Sequence, residues 1–177
     1  FMEDNTDLLL PDAVQAGDVG TPVGATVDAT VAGNTYATGN VTVNAGVSLS
    51  ADDVLTLTAT SPVLVNYGII GAVNHTGTGT LTIYNVGADA KIGDVTSAGT
   101  ITVGKKDVSE ETGTAGNKEG NEGVLGDLSA AGSVTIYRNA QGAEIGSVTS
   151  RTNNIIIGQS DSSNEAVRAY NTNAGTI

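Results

Sequence analysis

Few residues in this chain have the chemistry of a catalytic or metal-binding site. The chain contains no cysteine and a single histidine, His75. Disulfides, thiolate metal sites and histidine-based nucleophilic triads are therefore excluded. His75 lies in the polar segment Asn74-His75-Thr76, and we expect its ring to be solvated.

Two aspartates occupy the same position of a repeated motif. Asp94 follows Ile92-Gly93, and Asp127 follows Leu125-Gly126. If the two motifs stack on adjacent coils, the carboxylates lie about 5 Å apart. That separation suits a Ca²⁺ site or the carboxylate pair of a retaining glycosidase. Because Lys91 is the only basic residue close to them in sequence, we expect no enzyme and no resident cofactor. Two solvated aspartates at a corner are the simplest interpretation, and Ca²⁺ is the one ion that they would hold.

Two segments near the ends of the sequence are candidate contacts between copies of the chain. Leu8, Leu9 and Leu10 form an apolar run inside the acidic segment 1–20 and precede Pro11. This run predicts either a cap on the first coil or an arm that docks on a neighbouring subunit. The last residues, Ala174, Gly175, Thr176 and Ile177, repeat the phrase at 98–101. The repeat therefore stops inside a coil, and we expect either that further sequence follows Ile177 or that an open strand edge there pairs with another subunit.

A repeat of apolar residues must position all of these groups. Leu81, Ile101, Val134, Ile155 and Ile177 are separated by 20, 33, 21 and 22 residues. The long interval contains the Lys-, Glu-, Asn- and Gly-rich segment 104–120, which we interpret as a loop insertion between coils. An antiparallel sandwich explains short strands but does not explain a repeat of about 21 residues.

Each repeat contains an Ile-Gly-x-Val step and a strand of the Thr-Ile-Thr-Val type. One unit cannot bury its apolar residues alone, whereas stacked units can. The glycine of each step is expected to provide the backbone freedom for a bend. The predicted inward columns are Ile70/Ile92/Leu125/Ile145, Val73/Val95/Leu128/Val148 and Leu81/Ile101/Val134/Ile155. The sequence thus predicts an all-β protein, a right-handed parallel β-helix over 40–177, with an N-terminal arm and cap over 1–39.

Outward threonines of the same strands form a second regular pattern. The pairs Thr80/Thr82, Thr100/Thr102 and Ser133/Thr135 fall on successive coils, and the pattern breaks at Asn154/Ile156. Threonine favours exposed strand positions, but a flat threonine array also resembles the ice-binding face of β-helical antifreeze proteins. Asn40 and Asn74 lie in N-glycosylation sequons.

Charge and hydropathy exclude two classes of partner. The net charge is −12, from 19 acidic and 7 basic residues, which disfavours nucleic acid because phosphates require lysine and arginine. No apolar run approaches the roughly 20 residues of a membrane helix. We therefore expect neither nucleic-acid binding nor membrane insertion.

Several phrases of the repeat resemble a group of bacterial and archaeal surface proteins. Asn-Tyr-Gly-Ile-Ile-Gly at 66–71, Asn-Ala-Gln-Gly-Ala-Glu-Ile-Gly at 139–146 and Asn-Ala-Gly-Thr-Ile at 173–177 are similar to the coils of autotransporter passengers and filamentous-haemagglutinin-like adhesins. They also resemble β-helical surface-layer and sheath proteins. The resemblance covers about residues 40–177 and implies an extracellular, cell-surface protein.

The expected function is structural: self-assembly with copies of the chain into a filament, sheath or surface layer. The main alternative is an adhesin passenger that binds a glycan or a host surface. An ice-binding protein and a polysaccharide-active enzyme are the remaining alternatives.

Overall fold

The chain folds as a parallel β-solenoid. The computed structural model describes residues 20–104, 120–151, 154–158 and 173–177. These residues form about six turns, about 20 residues apart, and contain no helix. These residues therefore include no helix that is long and apolar enough to cross a membrane. The predicted all-β parallel β-helix is confirmed, while its right-handed winding stays a prediction.

Two parallel sheets form the walls of the solenoid. The first sheet, in spatial order, contains β1 (Thr21–Pro22), β3 (Thr35–Ala37), β5 (Ser48–Leu57), β7 (Ile69–His75), β10 (Val95–Ser97), β13 (Leu128–Ala130) and β16 (Val148–Ser150). A strip beside it contains β9 (Lys91–Ile92), β12 (Val124–Leu125) and β15 (Glu144–Ile145). The second sheet contains β2 (Thr26–Val27), β4 (Val41–Val43), β6 (Val63–Asn66), β8 (Thr80–Asn85), β11 (Thr100–Val103), β14 (Val134–Ile136) and β17 (Ile155–Ile157).

The strand register confirms the three predicted inward columns. Ile92 pairs with both Ile70 and Leu125, and Leu125 pairs with Ile145. The other two columns follow from the pairing of β7, β10, β13 and β16, and of β8, β11, β14 and β17. Except for Val148 and Ile155, the residues of these columns are almost completely buried. Such burial is expected of β-branched and leucine side chains that stack on the coils above and below.

The solenoid begins earlier than the sequence predicts. β1 pairs with β3, and β2 pairs with β4, both in parallel register. Residues 20–39 are therefore already part of the coil, and the predicted boundary between cap and solenoid at residue 40 is wrong. β1 and β2 are only two residues long and lie among Gly and Thr residues, so the apolar pattern of the sequence does not reveal these turns. Leu8, Leu9 and Leu10 lie outside the described residues, as does most of the predicted insertion at 104–120.

The glycine column is required for close packing and not for an unusual backbone. Gly71, Gly93, Gly126 and Gly146 are absent from the glycines with positive φ. A Cβ atom on Gly71 would lie 1.9 Å from the carbonyl oxygen of Ser50, on the turn beneath. The predicted role of these glycines as flexible bends is therefore wrong, because they make room for the neighbouring coil.

The last described segment has a different register from the predicted one. Thr176 bridges Glu144, and the amide of Ile145 donates to the carbonyl of Thr176. Ile177 therefore follows the column of Ile145 and does not belong to the column of Ile155. The phrase Ala-Gly-Thr-Ile matches two places in the repeat, and the apolar pattern alone selected the wrong one.

Candidate functional site

A ladder of five asparagines runs along one corner of the solenoid. Each rung donates from Nδ2 to Oδ1 of the next rung, at 2.9, 2.9, 2.9 and 3.0 Å. The rungs are Asn66, Asn85, Asn121, Asn139 and Asn173. The first four side chains are 0% exposed, so the amides are satisfied only by one another and by the backbone.

Asn66 and Asn121 also close the turn that follows them, because Oδ1 of each accepts from the amide two residues on. Asn121 shows the pattern: its Nδ2 donates to the carbonyl of Glu144 at 2.8 Å, and its Oδ1 accepts from the amide of Gly123 at 3.2 Å. The apolar repeat does not predict this ladder. Its signal is the spacing Asn-x-Gly-x-Ile/Leu, which occurs with the same length at 66–70, 121–125 and 173–177.

The two aspartates do lie on adjacent turns, as the sequence predicts. Val95 pairs with Leu128, which places Asp94 beside Asp127. Asp94 Oδ1 accepts from the amide of Asp127 at 2.9 Å, and Asp127 Oδ1 accepts from the amide of Ser147 at 2.8 Å. Each carboxylate thus holds the backbone of the next turn with one oxygen and exposes the other.

This aspartate pair has few of the partners that Ca²⁺ requires. Ca²⁺ takes six to eight oxygen ligands, and no group of three or more His, Cys, Asp or Glu side chains converges anywhere in the described residues. The observed hydrogen bonds assign Asp94 and Asp127 a role at the corner of the coil. Calcium binding by this pair stays a prediction.

The prediction of a solvated histidine is wrong. His75 is 0% exposed and lies at the end of β7. Its Nε2 lies 3.0 Å from the carbonyl oxygen of Ala59, so this nitrogen carries a proton. Its Nδ1 lies 2.8 Å from Ser97 Oγ, which accepts from the amide of Gly99 at 3.0 Å. The distance between His75 Nδ1 and Ser97 Oγ is that of a general base and its nucleophile. Both side chains are buried, however, and their hydrogen bonds link successive turns.

On the last described turn, the residues of the inward columns are partly exposed. Ile155 stands on Val134, and Ile157 stands on Ile136. The two isoleucines are 44% and 37% exposed, whereas the residues beneath them are 0% exposed. Ile177, which follows the column of Ile145, is 43% exposed. This group of three isoleucines, which we call the open edge, has the composition of a core and the exposure of a surface.

A bulge in β5 forms the wall of a surface groove. The register of β5 shifts between Leu49 and Val54, and Asp52 and Asp53 project from the shifted segment. The groove has a volume of about 620 Å³, and Ile69 and Lys91 line it together with the two aspartates. A smaller hollow of about 280 Å³ adjoins it at Ile69 and contains Tyr67, which is 36% exposed.

The comparisons with known proteins add no relative. No family model, no curated protein and no solved structure matches this chain. The geometry of the described residues therefore carries the functional argument alone.

Proposed function

We propose that this chain is an extracellular, cell-surface structural protein that assembles with copies of itself into a filament, sheath or surface layer. The observation that carries the proposal is the open edge. Ile155, Ile157 and Ile177 continue three core columns but remain 37–44% exposed. Covering them with a further coil would contribute about 1 kcal/mol for each side chain.

A further coil of the same repeat matches this edge, and on this proposal a second copy supplies it. The columns repeat from coil to coil, so the coil of another copy presents residues of the same kind and spacing. β17 pairs only with β14 among the described strands, and its outer backbone groups offer a template for one more parallel strand.

The opposite edge of the solenoid has different chemistry. The amides of Thr21 and Val23 donate to β3, so Pro22 between them faces outward and offers no N–H group. The two ends are therefore unlike, and contact between unlike ends is heterologous and continues into a polymer. Leu8, Leu9 and Leu10 remain the sequence-based candidate for an apolar arm in this contact.

Charge on the open edge should prevent assembly. We expect the wild-type chain to form ordered polymers that electron microscopy can detect, and the double variant Ile155→Glu/Ile157→Glu to lose them, because carboxylates would be buried between coils. Ile69→Glu is the matched control, since Ile69 is 41% exposed on the outer face of β7, away from the open edge. Deletion of residues 1–12 should block polymers if the leucine run is part of the contact.

Three measurements keep this test decisive. Circular dichroism of each variant should retain the β-sheet signal, which separates lost assembly from lost folding. A wild-type chain that stays a monodisperse monomer by light scattering and microscopy would contradict the proposal. So would a double variant that polymerises as well as Ile69→Glu.

The alternative proposal is an adhesin that binds a glycan, and the groove beside β5 favours it. Carboxylates of Asp52 and Asp53 are acceptors for sugar hydroxyls, and the exposed ring of Tyr67 is a surface for a sugar face. On this proposal the wild-type chain binds an immobilised glycan array. Binding should fall at least about tenfold in Asp53→Ala/Tyr67→Ala, as expected for the loss of polar and stacking contacts together, and should be unchanged in Asp28→Ala. Equal binding by both variants would contradict it.

A further inference from the structure

We propose that the outer face of the second sheet is a lateral contact surface, on which the same face of a second copy of this chain packs. The inference deepens the self-assembly proposed above and rests on it for its biological setting. It concerns the side of the solenoid, whereas the open edge concerns its end.

The face consists of two ranks of hydroxyl side chains with apolar neighbours. Parallel register aligns one rank at Thr80, Thr100 and Ser133, and the other at Thr82, Thr102 and Thr135. Val63 and Val65 extend the face on β6, and all of these side chains are partly exposed. We call this set the hydroxyl face.

The hydroxyl face is free of charge on a strongly acidic protein. None of the seven strands of the second sheet contains Asp, Glu, Lys or Arg. The first sheet and its strip, in contrast, contain Asp52, Asp53, Lys91 and Glu144. Two copies with a net charge of −12 each repel. Contact through the hydroxyl face would place uncharged strands of the two copies against each other, so that no like charges meet in the interface.

The chemistry of this face is complementary to itself. A threonine hydroxyl both donates and accepts a hydrogen bond, so a rank of threonines can satisfy an identical rank. Strands lie about 4.8 Å apart in every copy, so the ranks of two copies keep the same spacing over all their turns. A twofold contact needs this property, because the same patch must serve both partners.

The size of the face predicts a weak pair. Four strands (β6, β8, β11 and β14) at about 4.8 Å, with ranks about 7 Å apart, give a patch of roughly 130 Å² on each copy. A standard stable interface buries about 800 Å² on each partner. The contact is therefore expected to be transient between single chains and to become strong when many copies repeat it along a polymer.

Disulfide trapping detects such a transient contact directly, because the chain has no cysteine of its own. We expect Thr82→Cys and Thr102→Cys, on the two central strands of the hydroxyl face, to form disulfide dimers under mild oxidation. Thr96→Cys is the control, since Thr96 is exposed at an equivalent outward position of the first sheet. The dimer should form at least about tenfold faster at one of the two test positions than at Thr96, as a specific encounter requires.

Charge reversal then tests whether the contact is symmetric. Adding Thr102→Glu to the Thr82→Cys variant should slow its cross-linking about tenfold or more. Thr102 lies one strand from Thr82, so the two carboxylates would lie within about 10 Å of each other across the twofold axis. Mixing this form with Thr82→Cys/Thr102→Lys should restore the cross-linking. Equal rates at Thr82, Thr102 and Thr96, or cross-linking that ignores the added charges, would overturn the inference.

Three further outcomes separate this inference from the proposed function and from ice binding. Polymers without cross-linking on the hydroxyl face would support the proposed function and overturn the lateral contact. Cross-linking without polymers would leave the lateral contact standing and contradict the filament. If the wild-type chain shapes growing ice crystals and Thr102→Glu does not, the face meets an ice lattice and the proposed pairing of copies is overturned.

Discussion

Replacing Asn121 by alanine is expected to lower the free energy of unfolding by about 3 kcal/mol or more, as the loss of a buried hydrogen-bonded group does. Asn121 is 0% exposed and joins the rungs above and below it. Its removal takes away the shortest hydrogen bond of Asn85 Nδ2, which keeps longer bonds to the carbonyls of Ala90 and Val124. It also removes the donor that Asn121 provides to Oδ1 of Asn139. A low local dielectric makes the loss of a partner expensive for these buried amides.

Asn74→Ala is the matched control for the ladder. Asn74 is an exposed asparagine on β7, so its loss should change stability by no more than about 0.5 kcal/mol. Urea denaturation followed by circular dichroism compares the two variants. Similar midpoints for Asn121→Ala and Asn74→Ala would show that the ladder does not stabilise the stack.

Replacing Gly71 by alanine is the second large effect. The new Cβ atom would lie 1.9 Å from the Ser50 carbonyl oxygen and 2.6 Å from that of Asp53. Both atoms belong to the backbone of the adjacent turn and cannot move aside without disturbing β5. We expect a loss of about 3–5 kcal/mol, in the range of the severest single substitutions, and a lower thermal midpoint.

Gly39→Ala separates this steric effect from the general effect of losing a glycine. A Cβ atom on Gly39 has nothing within 4 Å, and the residue does not have a positive φ. This variant should be neutral or gain about 0.4–1 kcal/mol, since alanine restricts the unfolded chain. Equal destabilisation by both variants would contradict the packing role assigned to Gly71.

The apolar part of the fold could be predicted from the sequence because its register depends on a short repeated phrase. Ile92, Val95 and Ile101 each align with the predicted partner on the adjacent coil. Alternation along a strand and repetition between strands are both visible in the sequence, and a parallel stack of coils is the arrangement that satisfies both.

The polar contacts could not be predicted in the same way, because the role of a polar side chain depends on whether it is buried, and the sequence does not show this. His75 and Asn121 look like loop residues in the sequence, yet both are buried where a turn needs a side chain to bind backbone groups. Ile177 was placed in the wrong column because its register depends on Asn173 and not on the apolar phrase. Buried amides fix the register where isoleucine and valine alone allow two alternatives.

The asparagine ladder also gives the solenoid a direction. All four amide–amide hydrogen bonds run the same way, from Nδ2 of the earlier rung to Oδ1 of the later one, so the side-chain dipoles add as they do along a helix axis. At the first rung, Oδ1 of Asn66 is occupied by the amide of Gly68. At the last rung, Asn173 is exposed and its Nδ2 bonds to no described residue. Each turn therefore donates a hydrogen bond to the turn that follows, so one end of the ladder presents an acceptor and the other end a donor.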